Sequence, residues 1–304
     1  MIQIVLLDAQ ALGSDMDLSE LASLGSLTAW EDTPDDKIAE RVRMADVVLT
    51  NKKRLGAHNL AGAENLKLIC VTATGCDSID AAWCKERGIA LCNVPGYSTD
   101  SVTQLTLSLV LALGTHLGEY KHYVHSGAYS RGTSPNHLEP RWHELAGKTW
   151  GILGGGAIGH QVGTVARALG CRVLMCRRQE EREFEAADLD RLCREADILS
   201  LHCPLSEQTR GMLSRERIAM LPRHACVCNV GRGTAIDQEA LMEALHEGRI
   251  AGAALDVVVP EPIPEGHPLL KTPNLIITPH CAGNMALDYT CHKVVDMFLE
   301  DLAH

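Results

Sequence analysis

Residues 148–178, KTWGILGGGAIGHQVGTVARALGCRVLMCRR, restrict what this chain can fold into more than any other stretch. Residues 150–153 are a short apolar run that reads as a buried strand. The run breaks into Gly154-Gly155-Gly156-Ala157-Ile158-Gly159, which fits G-x-G-x-x-G, and an apolar helical pattern follows over 158–169. Gly170 closes that helix, and 172–176 is a second strand. The strand–turn–helix–strand setting turns a weak glycine pattern into a dinucleotide-binding fingerprint. Gly154 permits the tight turn, Gly156 removes a side chain where backbone must approach a pyrophosphate, and Gly159 lets helix pack close on strand. Ala157 and Ile158 open the helix, whose first N–H groups and partial positive charge suit phosphate. The competing reading is a glycine-rich turn that binds nothing.

The end of the second strand refines the cofactor. An NAD site asks for Asp or Glu about 20 residues beyond the glycines, to bind the ribose hydroxyls. This chain has Cys176-Arg177-Arg178 there, with no carboxylate before Glu180. Guanidinium groups offer charge and a planar fork to a 2′-phosphate. NADP is therefore expected, with NAD as the alternative; a pair of solvated surface arginines is the bland explanation.

At 304 residues the chain has room for two domains. With 46% apolar but only 4% aromatic residues, its cores must be aliphatic. A net charge of −11 argues against nucleic acid or an anionic membrane as partner. The twelve cysteines include no C-x-x-C pair and mostly stand singly in apolar runs, so neither a disulfide framework nor a metal site is expected. The N-terminus lacks a basic signal region, and no apolar run reaches the roughly 18 residues of a membrane span. A cytoplasmic protein is the expectation.

Along the chain, strands are expected at 2–7, 47–50, 66–71 and 89–94, with helices at 18–24, 38–44 and 81–87, giving a small parallel α/β domain. One long buried helix is expected over 99–123, then a loop over 126–140. Beyond the fingerprint, strands at 198–203, 226–230, 251–257 and 275–278 alternate with helices at 189–195, 215–220 and 238–246. This is a second, doubly wound domain, and 285–304 reads as a closing helix.

Ligands of doubly wound sheets bind beyond the carboxyl ends of the strands. Three such ends carry reactive groups: Gly231-Arg232-Gly233, Glu261-Pro262 and Pro279-His280. An Arg free to reach into a cleft can hold a substrate carboxylate and polarise a carbonyl. A His can deliver or remove a hydroxyl proton, and a Glu bonded to it orients the ring and favours its protonated form. Taken singly, each has a structural explanation: a braced loop, a surface turn, a satisfied histidine. His202 and His224, taken alone, also read as structural.

The quoted pieces resemble the D-isomer-specific 2-hydroxyacid dehydrogenase family across nearly the whole chain. They are ATGCDSID (73–80), NVPGYSTDSVTQ (93–104), ELAGKTWGILGGGAIG (144–159), HCPLSEQTRGML (202–213), NVGRGTAID (229–237), AGAALDV with the EP turn (251–262) and NLIITPHCAG (274–283). Within the family the chain is most similar to the glycerate dehydrogenase/hydroxypyruvate reductase group.

The resemblance implies an α/β fold of two doubly wound parallel-sheet domains with a cleft between them. Residues 98–285 would form the Rossmann-type cofactor domain, and 1–97 plus 286–304 a smaller flavodoxin-like substrate domain. It makes Arg232 the substrate-binding arginine, His280 the acid/base and Glu261 its partner, with Thr74 and Gly75 holding the substrate carboxylate through backbone N–H groups. Asp256 and His280 would lie by the nicotinamide, and Thr106, Ile158, His202, Pro204, Thr209, Val230 and Gly231 would line the cofactor site with the glycine turn. A homodimer through the cofactor domain is implied too.

Arg177 stands where NAD-preferring members carry Asp, and the chain stops at MFLEDLAH, earlier than the usual family ending. The expected reaction is reduction of a small 2-oxo acid, hydroxypyruvate or glyoxylate first, to the D-2-hydroxy acid. A D-lactate or other D-2-hydroxyacid dehydrogenase is the second reading. A dinucleotide-sensing binding scaffold is the third, and the complete Arg, Glu and His set argues against it.

Overall fold

The structure is a computed structural model that describes every residue except 14–15, 178–181 and 284–304. The described chain divides into two compact units, Met1–Ser98 with Gly283, and Thr99–Ala282. The expected closing helix, and with it the C-terminal share of the first domain at 286–304, lies outside the described residues.

The first unit holds β1 (Gln3–Leu6), β2 (Ser26–Ala29), β3 (Val47–Thr50), β4 (Leu68–Val71) and β5 (Ala90–Asn93), all parallel, in the order β2-β1-β3-β4-β5. This 2-1-3-4-5 order is that of flavodoxin-like sheets. Alternate residues serve opposite faces: Val5, Val48 and Ile69 enter one core, Ile4, Leu6, Val47 and Leu49 the other. Strands buried on both faces read as continuous apolar runs, which is why they are legible in sequence.

The second unit holds β6 (Thr149–Leu153), β7 (Arg172–Cys176), β8 (Glu185–Ala186), β9 (Ile198–Leu201), β10 (Cys226–Asn229), β11 (Gly252–Leu255) and β12 (Leu275–Ile277). Their order is β12-β11-β10-β9-β6-β7-β8, again parallel throughout. Counted from β6, this is the Rossmann order 3-2-1-4-5-6 with a seventh strand added. The order reverses between β6 and β9, where Leu153 and Leu201 pair in register at the carboxyl ends. Such a switch point opens a crevice beyond the strands.

The helix expected over 99–123 is two helices, Thr99–Gly114 and Leu117–His125, bent by 62°. His116 between them takes a left-handed conformation (φ 53°), and its Nδ1 pairs with Glu119 Oε1 at 2.8 Å. Only the first helix is buried, through Val102, Leu109 and Val110; the second has no buried residue. Within the expected loop at 126–140, Ala128–Arg131 forms one helical turn. Among the described residues, no single helix is long and apolar enough to cross a membrane.

Candidate active site

The glycines of the turn after β6 are required for different reasons. Gly154 has φ +106°, and a Cβ there would stand 2.7 Å from the Cys203 nitrogen on the chain leaving β9. A Cβ on Gly159 would fall 2.0 Å from the Gly154 carbonyl oxygen, so the helix Ala157–Ala168 reaches its strand only without a side chain. Gly156 differs: its φ of −82° suits any residue, and a Cβ would meet nothing within 4 Å. Neither conformation nor packing demands glycine at 156. It leaves an open cradle at the helix N-terminus, beside the exposed Ala157 and the half-buried Ile158.

A second feature faces the same switch point. Trp150 Nε1 donates to Ser200 Oγ at 2.9 Å, and Ser200 Oγ lies 3.0 Å from His202 Nε2. An indole nitrogen can only donate, so Ser200 Oγ accepts from Trp150, and which group donates between Ser200 Oγ and His202 Nε2 depends on the ring tautomer. The ring is neutral, because burial holds its pKa down at about 3. Its Nδ1 is covered and meets no hydrogen-bond partner among the described residues. An open glycine cradle and an unpartnered ring nitrogen at adjacent strand ends fit a dinucleotide, with the pyrophosphate at the helix N-terminus. The loop beyond His202 is closed on itself: Thr209 Oγ1 donates to the Pro204 carbonyl at 2.7 Å and accepts from Ser206 N at 2.7 Å.

The reactive groups stand on three adjacent strands. Asn229, Leu255 and Ile277 are register partners at the ends of β10, β11 and β12. Beyond Asn229, the Gly231-Arg232-Gly233 turn is held on both sides by the Asn229 amide: Gly231 N donates to its Oδ1 at 3.1 Å, and its Nδ2 donates to the Arg232 carbonyl at 2.9 Å. The flanking glycines serve packing rather than freedom, since a Cβ on Gly233 would sit 2.4 Å from the Val258 carbonyl oxygen, and one on Gly231 3.0 Å from that of Cys203. Sequence reasoning passed over Asn229, although an Asn ending an apolar strand before Gly is a turn-forming signal. Val230, before the turn, is 8% exposed.

The same Val258 ties the turn to the other two groups. Its N–H donates to Glu261 Oε1 at 2.9 Å, and Glu261 Oε2 lies 2.7 Å from His280 Nδ1. A carboxylate can only accept, so Nδ1 carries the proton between them. His280 has a left-handed backbone (φ 53°), unusual outside glycine. Asp256 enforces it. The Asp256 carbonyl accepts from His280 N at 2.9 Å, while its carboxylate accepts from Thr278 Oγ1 at 2.6 Å, Cys281 N at 3.0 Å and Ala282 N at 3.0 Å. At 1% exposure, Asp256 is the anchor of the histidine turn.

Among the residues expected to line the cofactor site, Thr106 stands apart. It is fully covered, and its hydroxyl donates to the Val102 carbonyl one turn back at 2.7 Å. Arg177 lies at the end of β7, with its guanidinium 2.9 Å from His160 Nε2; Arg178 lies outside the described residues. In the first unit, Thr74 Oγ1 donates to the Val94 carbonyl at 3.0 Å, and Asn93 Nδ2 to the Thr74 carbonyl at 2.7 Å. These bonds pin the 74–75 loop, and the N–H groups of Thr74 and Gly75 meet no acceptor among the described residues.

Comparison with known proteins finds relatives over most of the chain. A family model described as "D-isomer specific 2-hydroxyacid dehydrogenase, NAD binding domain" matches residues 107–282. A hydroxypyruvate reductase of Blautia hydrogenotrophica is 35% identical over 287 residues, covering 91% of this chain and 89% of the relative. A glycerate dehydrogenase of Methylorubrum extorquens is 33% identical over 299 residues, covering 97% and 94%. Among solved structures, a Thermus thermophilus protein superposes with a TM-score of 0.87 at 32% identity, over 99% of this chain and 96% of that one.

Proposed function

This chain belongs to the D-isomer-specific 2-hydroxyacid dehydrogenase family, oxidoreductases that use a nicotinamide dinucleotide, and we propose that it reduces hydroxypyruvate or glyoxylate to the D-2-hydroxy acid with NADPH. The observation that carries the reading is the Glu261–His280 pair at 2.7 Å, whose members follow β11 and β12, beside β10, which presents Arg232. Relatives named for hydroxypyruvate, glyoxylate and glycerate support the substrate class.

When bound, the reduced nicotinamide supplies the hydride that goes to the carbonyl carbon. The chain's own residues do the rest. Arg232 takes the carboxylate–carbonyl edge of the substrate. His280 gives the proton from Nε2 to the carbonyl oxygen, and Glu261 holds the resulting ring by Nδ1. Arg177 serves the 2′-phosphate, which makes NADP the preferred cofactor and NAD the weaker one.

The homodimer is part of the same proposal. Leu111, Leu117, Val124, Tyr129, Leu138 and Trp142 are 41–69% exposed, a concentration of large apolar groups within a short stretch of the cofactor unit. Apolar surface of that kind marks an interaction site. A reducing, cytoplasmic setting belongs to the same proposal, supported by cysteines that mostly stand singly in apolar runs.

Steady-state specificity for hydroxypyruvate, glyoxylate and pyruvate, each with NADPH and NADH, tests the reading. The highest kcat/KM is expected for hydroxypyruvate or glyoxylate with NADPH. A clear preference for pyruvate would replace the substrate, and no turnover with any of the three would favour a binding role.

A further inference from the structure

Arg177, assigned above to the 2′-phosphate, does not stand by itself. Its Nη1 lies 2.9 Å from His160 Nε2, and a guanidinium can only donate, so the imidazole nitrogen accepts. The ring's hydrogen is then on Nδ1, which faces Glu183 Oε2 at 3.5 Å, and Glu183 Oε1 in turn takes Arg167 Nη2 at 2.8 Å. The four groups form one chain: guanidinium, carboxylate, neutral imidazole, guanidinium. Phe184 flanks the imidazole, ring centroids 5.5 Å apart, with the Arg167 guanidinium 4.9 Å over its own face. Backbone fixes the origin of the ring, because His160 N donates to the Gly156 carbonyl at 2.9 Å in the first turn of the helix. The stem of Arg177 is fixed from the other side. A Cβ on Gly155 would stand 2.9 Å from both its Cβ and its Cδ, so the aliphatic chain lies flat on the glycine turn.

We propose that His160 is a positioning residue for the adenosine 2′-phosphate: it holds Arg177 against the glycine turn before the ligand arrives and so sets the discrimination between NADP and NAD. This rests on the NADP reading above. An arginine has many rotamers, and ordering it in advance removes part of the entropic cost of binding. A guanidinium has five N–H donors, so one bond to an imidazole is compatible with a two-point contact to phosphate. The arrangement is asymmetric between cofactors: NAD has a plain hydroxyl at that carbon and gains little from a pre-set cation.

Calorimetric titration with two fragments, adenosine 2′,5′-bisphosphate and 5′-AMP, separates this role from a merely structural one without relying on turnover. His160→Leu should weaken the bisphosphate about five- to tenfold and 5′-AMP by less than about twofold, while His160→Gln, whose amide oxygen can accept from Arg177, keeps most of the discrimination. In an Arg177→Ser background, His160→Leu should add nothing, because the two side chains act as a unit. Equal weakening of both fragments, or losses that add in the double variant, would overturn the positioning role. If Arg177→Ser removes the discrimination and His160→Leu does not, the NADP reading stands and this inference falls. If Arg177→Ser leaves the discrimination intact, the NADP reading itself fails, and the inference with it. Thermal melts of each variant establish that it is folded, and His160→Ala, which also lacks the acceptor, carries the test if His160→Leu is not.

Discussion

Two carboxylates divide the labour around His280, the acid/base of the proposed reaction. Glu261 holds its ring and Asp256 holds its backbone. Replacing His280 with Ala should lower kcat by about two to four orders of magnitude with little change in dinucleotide affinity, as measured by steady-state kinetics and fluorescence titration. Asp256→Ala strands two backbone N–H donors and a hydroxyl in a covered site, and should cost about 2–5 kcal/mol in urea unfolding. His202 gives a pH test. Its folded pKa of about 3 lies below the unfolded value, so the unfolded chain takes up the proton first on acidification. The stabilisation is whole above about pH 6.5 and drains away as pH falls toward 3, at up to about 1.4 kcal/mol per pH unit. Urea midpoints between pH 7 and pH 4.5 should therefore fall more steeply for the native chain than for His202→Gln; parallel slopes would contradict the assignment. Arg232, Glu261 and His280 were legible because each closes an apolar strand. The anchoring by Asp256 was not, because its donors come from the loop after β12, 22 to 26 residues further along the chain.

At the scale of elements, the glycine turn separates folding from binding within six residues. Gly159→Ala forces a Cβ onto the Gly154 carbonyl and should destabilise the protein by about 3 kcal/mol or more, since helix and strand must part. Gly156→Ala places its Cβ in open space at an ordinary φ, so the melting temperature should hold while dinucleotide affinity falls at least about tenfold by calorimetry. A loss of stability in Gly156→Ala comparable to that of Gly159→Ala would mean that the cradle is packing after all. The central strands were readable from continuous apolar runs. The edge strands β2 (Ser26–Ala29) and β8 (Glu185–Ala186) were not, because partly exposed segments such as SLTA and EA become strands through pairing with a neighbour rather than through their own pattern. The bend at His116 was missed for a related reason: apolar density runs through it, and a left-handed histidine leaves no periodic mark.

The whole molecule joins a flavodoxin-like unit to a Rossmann unit, and the second alone carries Arg232, Glu261, His280 and the glycine turn. Its exposed apolar stretch predicts a dimer in analytical ultracentrifugation at micromolar concentration, and Leu117→Asp with Leu138→Asp should shift the species toward monomer; a native chain that sediments as a monomer would refute the dimer. In the proposed reaction hydride passes from a nicotinamide to C2 of a 2-oxo acid while His280 protonates the oxygen. Isotope tracing tests it most directly: the enzyme is supplied with hydroxypyruvate and NADPH carrying deuterium at the transferable C4 position, and the product is read by NMR and chiral chromatography. The expected product is D-glycerate with one deuterium at C2, formed far more slowly by His280→Ala. Glycerate without deuterium at C2, the L-isomer, or an unchanged rate in His280→Ala would contradict it.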